Sequence, residues 1–383
     1  MRLTSIRAKN FKSFKELDIR LDNLNVLIGA NASGKSNFVQ LFKFVRDVAE
    51  KGLDNAVSLQ GGPRYLWNVN CGEGDKLTIE LAVEDAAPLI FRSSPIAISR
   101  YLYRFSLARR EERHVAVVED ELRLEGSVGF TIKRTKGEYR TEGDAGEFGS
   151  LLLASLPRSL FENSGQPAVM IQYLPWLAGL KSIAVYDVEP KAPKTGVLEG
   201  LSDLEPDANN LAIVLDRILS DEESRRKMLN LLKDMLPFVK ALDTEVLRDK
   251  SLHFNMEERF SQQAMPAAFL SDGTIDVIAL IVILYFERKS LVIIEEPEKN
   301  LHPSLMSGLV AFLKDASRKK QIAITTHNPE LVRFVEHSEL ILISRDPDGF
   351  SGAQRPADKE QVQRFLREEL TMQELFVENL LEV

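Results

Sequence analysis

The stretch GANASGKSN, from Gly29 to Asn37, decides how the rest of this sequence is interpreted. It matches the pattern G-x-x-x-x-G-K-[ST] at its fixed positions, which are Gly29, Gly34, Lys35 and Ser36. Glycines let such a loop turn its backbone N–H groups inward around phosphate oxygens, because a Cβ would intrude. The lysine then reaches the β- and γ-phosphates, and the serine hydroxyl is a ligand of Mg²⁺. The stretch therefore predicts a site for a nucleoside triphosphate.

The flanking residues predict the strand–loop–helix context that a phosphate loop requires. Leu24–Ile28 is a short apolar run typical of a buried strand, and apolar residues recur at helical spacing after Lys35. A helix beginning near Gly34 would direct its positive N-terminal dipole at the phosphates. A glycine turn that matches by chance is the alternative, and this context argues against it. The predicted nucleotide-binding residues of the loop are Gly29, Asn31, Ala32, Ser33, Gly34, Lys35, Ser36 and Asn37, and Ser36 is also a predicted metal ligand.

A pair of acids follows a second apolar run, Leu291 to Ile294. The run predicts a buried parallel strand, and Glu295 and Glu296 come where that strand emerges. We predict that Glu295 holds Mg²⁺, directly or through a water, and that Glu296 orients or deprotonates the attacking water. Adjacent acids after a strand can also be a solvated turn. Pro297 and the motif that follows it favour the catalytic interpretation.

Two further segments carry polar residues toward the same predicted site. His327 follows the predicted strand Ile322–Thr325, so it would point at the same crevice and sense the γ-phosphate; an exposed or structural histidine is the alternative. Ser271 and Gly273 lie in Leu270-Ser-Asp-Gly-Thr274, where Ser271 predicts an N-cap whose helix has free amides for an anion. An ordinary helix cap is the alternative there.

Composition limits the classes of protein. The chain has 383 residues, 44% of them hydrophobic, a net charge of −8 and a single cysteine, Cys71. One cysteine excludes a disulfide framework and a cysteine-rich zinc site. The longest apolar run, Val277 to Phe286, is too short to cross a bilayer, and no apolar signal segment follows the N-terminus. We expect a globular cytoplasmic protein without a membrane partner or a general attraction to nucleic acid.

The order of periodic segments predicts an α/β fold. Alternating stretches over residues 76–134 predict an antiparallel sheet, residues 137–168 read as an exposed connection, and Asp207–Pro237 reads as helical. Beyond Phe269, helices and strands alternate, which predicts a parallel sheet shared with the phosphate-loop strand. The predicted parts are an N-terminal lobe at 1–200, a helical insertion at 201–260 and a C-terminal lobe at 261–383.

Together these motifs resemble the ABC-type ATPases of the SMC/RecF/OLD group, and more closely the stand-alone bacterial AAA family ATPases of the AAA-21 type. The stretches that carry the resemblance are NFKSF at 10–14, LNVLIGANASGKSN at 24–37, PDANNLAIVL at 206–215, LSDGT at 270–274, IIEEPEKNLHP at 293–303, ITTHNPELV at 324–332 and TMQELF at 371–376. The resemblance implies an ABC-type P-loop ATPase head with a mixed sheet, an antiparallel β subdomain and an inserted helical subdomain. A glutamate at the first acid, as in Glu295, is common in that family.

The resemblance also implies how the protein assembles. ATP and Mg²⁺ would be held in a head-to-tail homodimer, between the P-loop of one subunit and LSDGT of the other, so that Ser271 and Gly273 act in trans. Two family features are missing: no long heptad array separates the halves, and no acidic Toprim block follows Ser344. The glutamine of a Q-loop is not clear either. Gln172 is a candidate, and packing is the alternative for it.

These features support two functional hypotheses. The first is a dimeric switch that converts ATP and water to ADP and phosphate, and regulates a separate effector such as a nuclease or toxin in an anti-phage or toxin-type system. The second is a RecF-like DNA repair ATPase that binds DNA directly through basic clusters at Arg109-Arg110, at Lys133-Arg134 with Lys136, and at Arg318–Lys320; a solvated surface is the alternative for each cluster. Binding of nucleic acid and oligomers larger than a dimer stay open. A transporter subunit fits less well because of the NFKSF opening and the long middle insertion.

Overall fold

The computed structural model describes residues 2–72, 74–84, 89–91, 94–96, 98–110, 114–127, 129–135, 138–143, 175–198 and 203–356. Its strands, in chain order, are β1 Arg2–Phe11, β2 Phe14–Arg20, β3 Leu24–Ile28, β4 Leu77–Glu84, β5 Leu89–Phe91, β6 Ser94–Ile96, β7 Ile98–Arg110, β8 His114–Gly126, β9 Phe130–Thr135, β10 Glu138–Gly143, β11 Ile183–Tyr186, β12 Val239–Val246, β13 Leu252–Glu258, β14 Met265–Pro266, β15 Leu291–Glu295, β16 Gln321–Thr326, β17 Leu340–Arg345 and β18 Ser351–Gln354. Its α-helices are α1 Lys35–Lys51, α2 Leu53–Leu59, α3 Pro63–Leu66, α4 Leu211–Ser220, α5 Glu222–Met235, α6 Asp272–Tyr285, α7 Met306–Ser317 and α8 Pro329–Val332.

A six-stranded sheet, in the order β11-β15-β16-β3-β17-β18, carries the phosphate loop. Its strands are parallel except β18, which pairs antiparallel with β17. All residues of β3 and β16 are buried, as expected for parallel strands covered on both faces. The predicted sharing of one sheet by the N-terminal phosphate-loop strand and the C-terminal strands is confirmed. The acidic strand β15 and the histidine strand β16 are direct neighbours, and β16 separates β15 from β3.

A seven-stranded antiparallel sheet, in the order β10-β9-β8-β7-β4-β1-β2, covers the other side of α1. This confirms the antiparallel sheet predicted over residues 76–134. The expected connection at 137–168 was wrong for Glu138–Gly143, which forms the edge strand β10. Pairing with β9 supplies its backbone hydrogen bonds, although its side chains lack an apolar alternation. The rest of that stretch, Gln172 and residues 371–376 lie outside the described residues.

Two hydrophobic cores lie on the two faces of the parallel sheet. Ile293 of β15 faces the core that contains α1 and the antiparallel sheet, whereas Ile294 faces the core that contains α4 to α7. Successive residues of one strand thus enter different cores, because side chains alternate between the faces. The sheet is fixed from both sides, so the loops at the carboxyl ends of its strands start from defined positions.

The middle of the chain is helical only in part. Helices α4 and α5 occupy the stretch predicted as helical, and strands β12, β13 and β14 then form a small sheet that packs on α4. Strands β12 and β13 were not expected in a segment predicted to be helical. The burial of Val239, Leu242, Phe254 and Met256 shows that this small sheet adds to the second core. The division of the chain at residues 200 and 260 stays a prediction.

Within the described part of the chain, no helix is both long enough and apolar enough to cross a membrane.

Candidate nucleotide-binding site

The predicted phosphate loop joins β3 to α1, and its conformation depends on two glycines. A Cβ on Gly29 would lie 2.2 Å from the Ile343 carbonyl oxygen. Gly34 has a φ of 120°, and a Cβ there would lie 2.3 Å from Ser351 Oγ. Both neighbours belong to the β17–β18 hairpin. The loop therefore follows a path that side chains at these two positions would prevent.

Lys35 is the buried cation of this loop. Its side chain folds back so that Nζ donates hydrogen bonds to the carbonyls of Gly29, at 2.7 Å, and Ala30, at 3.0 Å. The pKa of the Lys35 ammonium is lowered, because the effect of burial exceeds the opposing effect of the Glu296 and Glu298 carboxylates. The ammonium is thus held by the loop itself, with negative charge across the site from it. A γ-phosphate could replace those carbonyl contacts with stronger, charge-assisted ones.

Polar side chains support the loop from behind. Ser351 Oγ lies 2.6 Å from the Ser33 carbonyl oxygen and 2.8 Å from Ser13 Oγ, and Asn37 Nδ2 donates to Ser13 Oγ at 2.8 Å. Ser33 Oγ is buried without a hydrogen-bond partner among the described residues. Asn37 thus contacts protein here, although the sequence nominated it for the nucleotide. Sequence reasoning missed the roles of Ser13 and Ser351. The signal for Ser13 was its place within NFKSF.

The remaining loop residues are open to solvent. Asn31, Ala32 and Ser36 are exposed at the mouth of the loop, and Ala32 has a left-handed φ of 63°. Ser36 is the second residue of α1, after Lys35, so its hydroxyl lies at the N-terminal end of that helix. These positions are accessible to a ligand that approaches the loop.

Glu295 ends β15 and contacts a lysine of α1. Lys43 Nζ lies 3.3 Å from Glu295 Oε1, and both side chains are largely buried. The pKa of Glu295 is raised, chiefly by burial and also by the negative charges of Asp187 and Glu296. The positive charge of Lys43 opposes this shift. Asp187 follows β11, the strand next to β15, so its carboxylate lies at the same sheet edge. Sequence reasoning missed both Lys43 and Asp187. The signal for Asp187 was an acid directly after a short apolar run.

Glu296 and His327 are in direct contact. His327 Nδ1 lies 2.7 Å from Glu296 Oε1, and both side chains are partly exposed. Glu296 has a left-handed φ of 45°, and its backbone N–H donates to Thr325, to the carbonyl at 3.0 Å and to Oγ1 at 3.2 Å. These bonds hold the unusual backbone conformation, which suggests that the direction of the Glu296 side chain matters. The structure therefore brings the two predicted catalytic residues together.

Ser271 and Gly273 lie at the N-terminus of α6, beside the loop that follows Glu296. Ser271 Oγ accepts a hydrogen bond from the Thr274 backbone N–H at 3.1 Å, which confirms the predicted N-cap. A Cβ on Gly273 would lie 2.6 Å from the Asn300 carbonyl oxygen. Asn300 Nδ2 also donates to Asp276 Oδ2 of α6, at 2.9 Å. Within the chain, Ser271 and Gly273 are therefore packed with Thr274 and Asn300, and Ser271 itself is exposed.

The donor set near the loop suits a magnesium ion. Mg²⁺ prefers hard oxygen ligands and keeps several waters or phosphate oxygens in its shell. The Ser36 hydroxyl and the Glu295 carboxylate are oxygens of this kind, and Ser36 is exposed at the mouth of the loop, where a phosphate-bound ion would approach. The residues present thus fit a magnesium–nucleotide complex.

Four of the eight basic residues nominated for DNA binding have partners in the protein, and Lys136 lies outside the described residues. Lys133 Nζ lies 3.2 Å from Glu119, and Arg134 lies 3.1 Å from the buried Asp120. The Arg109 guanidinium lies 5.3 Å above the Trp67 ring. Lys320 Nζ donates to the carbonyls of Ile283 and Glu287. These cations do not form an open basic surface. Arg110, Arg318 and Lys319 are exposed.

Comparison with known proteins identifies relatives over different parts of the chain. The sequence model of the AAA_21 family, described as "AAA domain, putative AbiEii toxin, Type IV TA system", matches residues 24–333. Endonuclease GajA of Bacillus cereus (strain VD045) is 43% identical over 47 residues, which are 12% of this chain and 8% of GajA. The DNA replication and repair protein RecF of Halalkalibacterium halodurans is 30% identical over 96 residues, which are 21% of this chain and 26% of RecF. The chain thus spans only a small part of either relative's length.

Two solved structures resemble the whole chain. An SMC head bound to the C-winged helix domain of ScpA has a TM-score of 0.51 and 13% identity, over 92% of this chain and 97% of that one. A Pyrococcus furiosus Smc head with an extended coiled coil, bound to the C-terminal domain of ScpA, has a TM-score of 0.50 and 13% identity, over 96% of this chain and 98% of that one. At this identity the likeness concerns the fold alone.

Proposed function

Because the chain belongs to the AAA_21 family and has the ABC-type ATPase head fold, we propose that it is a dimeric switch that binds ATP and hydrolyses it to ADP and phosphate. The observation that carries this proposal is the contact between Glu296 and His327, at the sheet edge where Lys35 is held. A phosphate cradle, a carboxylate and a histidine at neighbouring strand ends are the parts that hydrolysis of a phosphoanhydride requires.

In this proposal the phosphate loop binds the triphosphate. Backbone N–H groups of the loop and the N-terminus of α1 face the phosphates, and Lys35 Nζ moves from the loop carbonyls to the β- and γ-phosphates. Ser36 and Glu295 would hold Mg²⁺, which when bound neutralises charge on the phosphate oxygens. Release of Glu295 from Lys43 would accompany that binding. The Lys43–Glu295 contact, at 3.3 Å, is longer than a typical charge-assisted hydrogen bond.

Glu296 then acts on the water. Its carboxylate accepts a proton from the water as the water oxygen attacks the γ-phosphorus, and the bond from that phosphorus to the bridging oxygen of ADP breaks. His327 orients the Glu296 carboxylate through their hydrogen bond, and in this proposal it also contacts a γ-phosphate oxygen. Nucleotide cleavage would change what His327 contacts, so the same pair can report the state of the nucleotide.

The second half of the site would come from another copy of the chain. Asn31, Ala32 and Ser36 are exposed on the loop, and Ser271 is exposed at the N-terminus of α6. Two copies arranged head to tail would place Ser271 and Gly273 of one against the nucleotide of the other. Two sandwiched nucleotides would favour the closed dimer, and hydrolysis would release it. Such a cycle suits a cytoplasmic switch better than an enzyme with rapid turnover.

We further propose that the switch controls a separate effector, a nuclease or a toxin. The description of the matching family names a putative toxin of a Type IV TA system, and the GajA relative is an endonuclease. A RecF-like role with direct DNA binding is the second candidate, which the RecF similarity favours. The engagement of Lys133, Arg134 and Lys320 within the protein counts against it. DNA affinity that falls steeply with salt would favour the second candidate over the first.

A complementation experiment tests the composite site. Lys35→Ala removes the phosphate contact of one subunit, and Ser271→Arg blocks the α6 N-terminus of the other. Each variant alone should release no phosphate from ATP. Mixed, they form a heterodimer with one intact site and one doubly altered site, so phosphate release should return. If co-purified mixed dimers stay as inactive as the single variants, the site is not shared between subunits.

A further inference from the structure

Glu298 is a buried acid close to the proposed site that has no assigned role. It lies in the loop after β15, and only 6% of the residue is exposed. One carboxylate oxygen, Oε1, accepts a hydrogen bond from Thr326 Oγ1. The other, Oε2, is buried without a hydrogen-bond partner among the described residues. An ionisable group is costly to bury so incompletely satisfied, and an apolar residue would be cheaper if packing were its only purpose.

The partner of Glu298 lies next to the catalytic histidine. Thr326 is the last residue of β16 and is fully buried, and His327 follows it. Thr326 Oγ1 also accepts a hydrogen bond from the Asn328 backbone N–H at 3.0 Å. The hydroxyl therefore binds Glu298 on one side and closes the backbone around His327 on the other. This fixes the direction in which the His327 side chain leaves the strand.

A second tie joins the same two segments. The Glu296 backbone N–H donates to Thr325, at 3.0 Å to the carbonyl oxygen and 3.2 Å to Oγ1. The loop that carries Glu296 is thus attached to the histidine strand at two consecutive positions, Thr325 and Thr326. The first tie holds the backbone of Glu296, and the second uses the Glu298 side chain. Together the two ties hold His327 Nδ1 at 2.7 Å from Glu296 Oε1.

We propose that Glu298 is a positioning residue, which sets the relative placement of Glu296 and His327 through its hydrogen bond to Thr326. This inference rests on the proposed hydrolysis by Glu296. It assigns no contact with the nucleotide to Glu298 or Thr326. Loss of the tie should therefore reduce the chemical step and leave ATP binding largely intact, because Lys35 and the phosphate loop are unchanged.

Steady-state phosphate release by the full chain, with Mg²⁺ and ATP, tests this role. Thr326→Val removes the hydroxyl at nearly constant volume, and Thr326→Ser keeps it. Thr326→Val and Glu298→Ala should each lower kcat about tenfold or more, with ATP affinity within about threefold of wild type. Thr326→Ser should recover most of the activity. The double variant should be no slower than the slower single variant, because both changes break one tie.

A matched control is Thr78→Val, which removes a strand threonine hydroxyl that lies 2.9 Å from Ser106 Oγ in the antiparallel sheet. It should leave kcat unchanged. Wild-type kcat in Thr326→Val, or equal losses of kcat and ATP affinity, would overturn the inference. If Glu298→Ala does not fold, the two Thr326 variants still decide. Wild-type kcat in Glu296→Gln would instead overturn the proposed function, so the two failures are distinguishable.

Discussion

His327 Nδ1 lies 2.7 Å from Glu296 Oε1, across the ends of two neighbouring parallel strands. This hydrogen bond orients the Glu296 carboxylate, and in the proposed mechanism that orientation lets it take a proton from the attacking water. In the proposed mechanism His327 also detects whether a γ-phosphate is present. In that mechanism the contact between Glu296 and His327 links hydrolysis to the end of strand β16.

Replacing His327 by alanine should therefore slow hydrolysis without preventing ATP binding. We expect kcat to fall by about 10- to 100-fold, because Glu296 loses its orienting partner, while ATP affinity stays within about threefold. Phosphate release and nucleotide titration on the same preparation measure both quantities. His114→Ala is a control, since that exposed histidine begins β8 in the antiparallel sheet. Equal activity of His327→Ala and His114→Ala would contradict the account.

Gly34→Ala should disrupt the phosphate loop. The new Cβ would meet Ser351 Oγ at 2.3 Å, and the φ of 120° is itself unfavourable for alanine. We expect a loss of about 1–3 kcal/mol in the free energy of unfolding, together with loss of ATP binding. Gly349→Ala separates the two causes, because Gly349 has a φ of 85° but a Cβ there would meet no atom within 4 Å beyond its chain neighbours. Equal losses in the free energy of unfolding of Gly34→Ala and Gly349→Ala, measured with denaturant, would show that the Ser351 contact is unimportant.

Asp276 should make stability depend on pH. Burial raises the pKa of its carboxyl to about 6 from an ordinary 3.8, although the hydrogen bond from Asn300 lowers it. In the unfolded chain this group ionises near its ordinary pKa, so the folded state loses stability as pH rises from about 4 to about 6. Above that range the cost is constant, on the order of 3 kcal/mol for a shift of about two pKa units.

Asp276→Asn removes this titration and keeps an oxygen that can accept the Asn300 hydrogen bond. Its advantage over wild type in free energy of unfolding should be absent near pH 4, grow toward pH 6 and then level off. Urea unfolding of both proteins across this range measures the difference, in which all other groups cancel. A difference that stays constant with pH would refute the raised pKa.

Much of the fold could be predicted because its signals are local. The phosphate-loop pattern at Gly29–Ser36, the apolar runs before it and before Glu295, and the cap at Ser271 each lie within one short segment. Strand and helix periodicities then gave the α/β fold of the ABC type, which the structural likeness confirms. The family predicted from these motifs is confirmed by the AAA_21 match.

What the sequence did not predict depends on distant residues. Ser351 supports the phosphate loop from the other end of the chain, and Lys43 reaches Glu295 only because α1 packs beside the parallel sheet. Strand β10 forms because β9 offers an open edge rather than because of its own side chains. Helix α8 ends at Val332, because turns closed by the backbone N–H groups of Phe334 and Val335 follow it. The contact of Glu298 with Thr326 likewise needs both strand ends to be in place.

The most direct test of the account is Glu296→Gln, which keeps the size of the side chain and removes its basicity. Phosphate release from ATP should fall at least about 100-fold, while ATP affinity changes by less than about threefold. With ATP bound, light scattering should find a trapped dimer at twice the chain mass of 43.2 kDa. Wild-type phosphate release by Glu296→Gln would contradict the central claim that Glu296 acts on the attacking water.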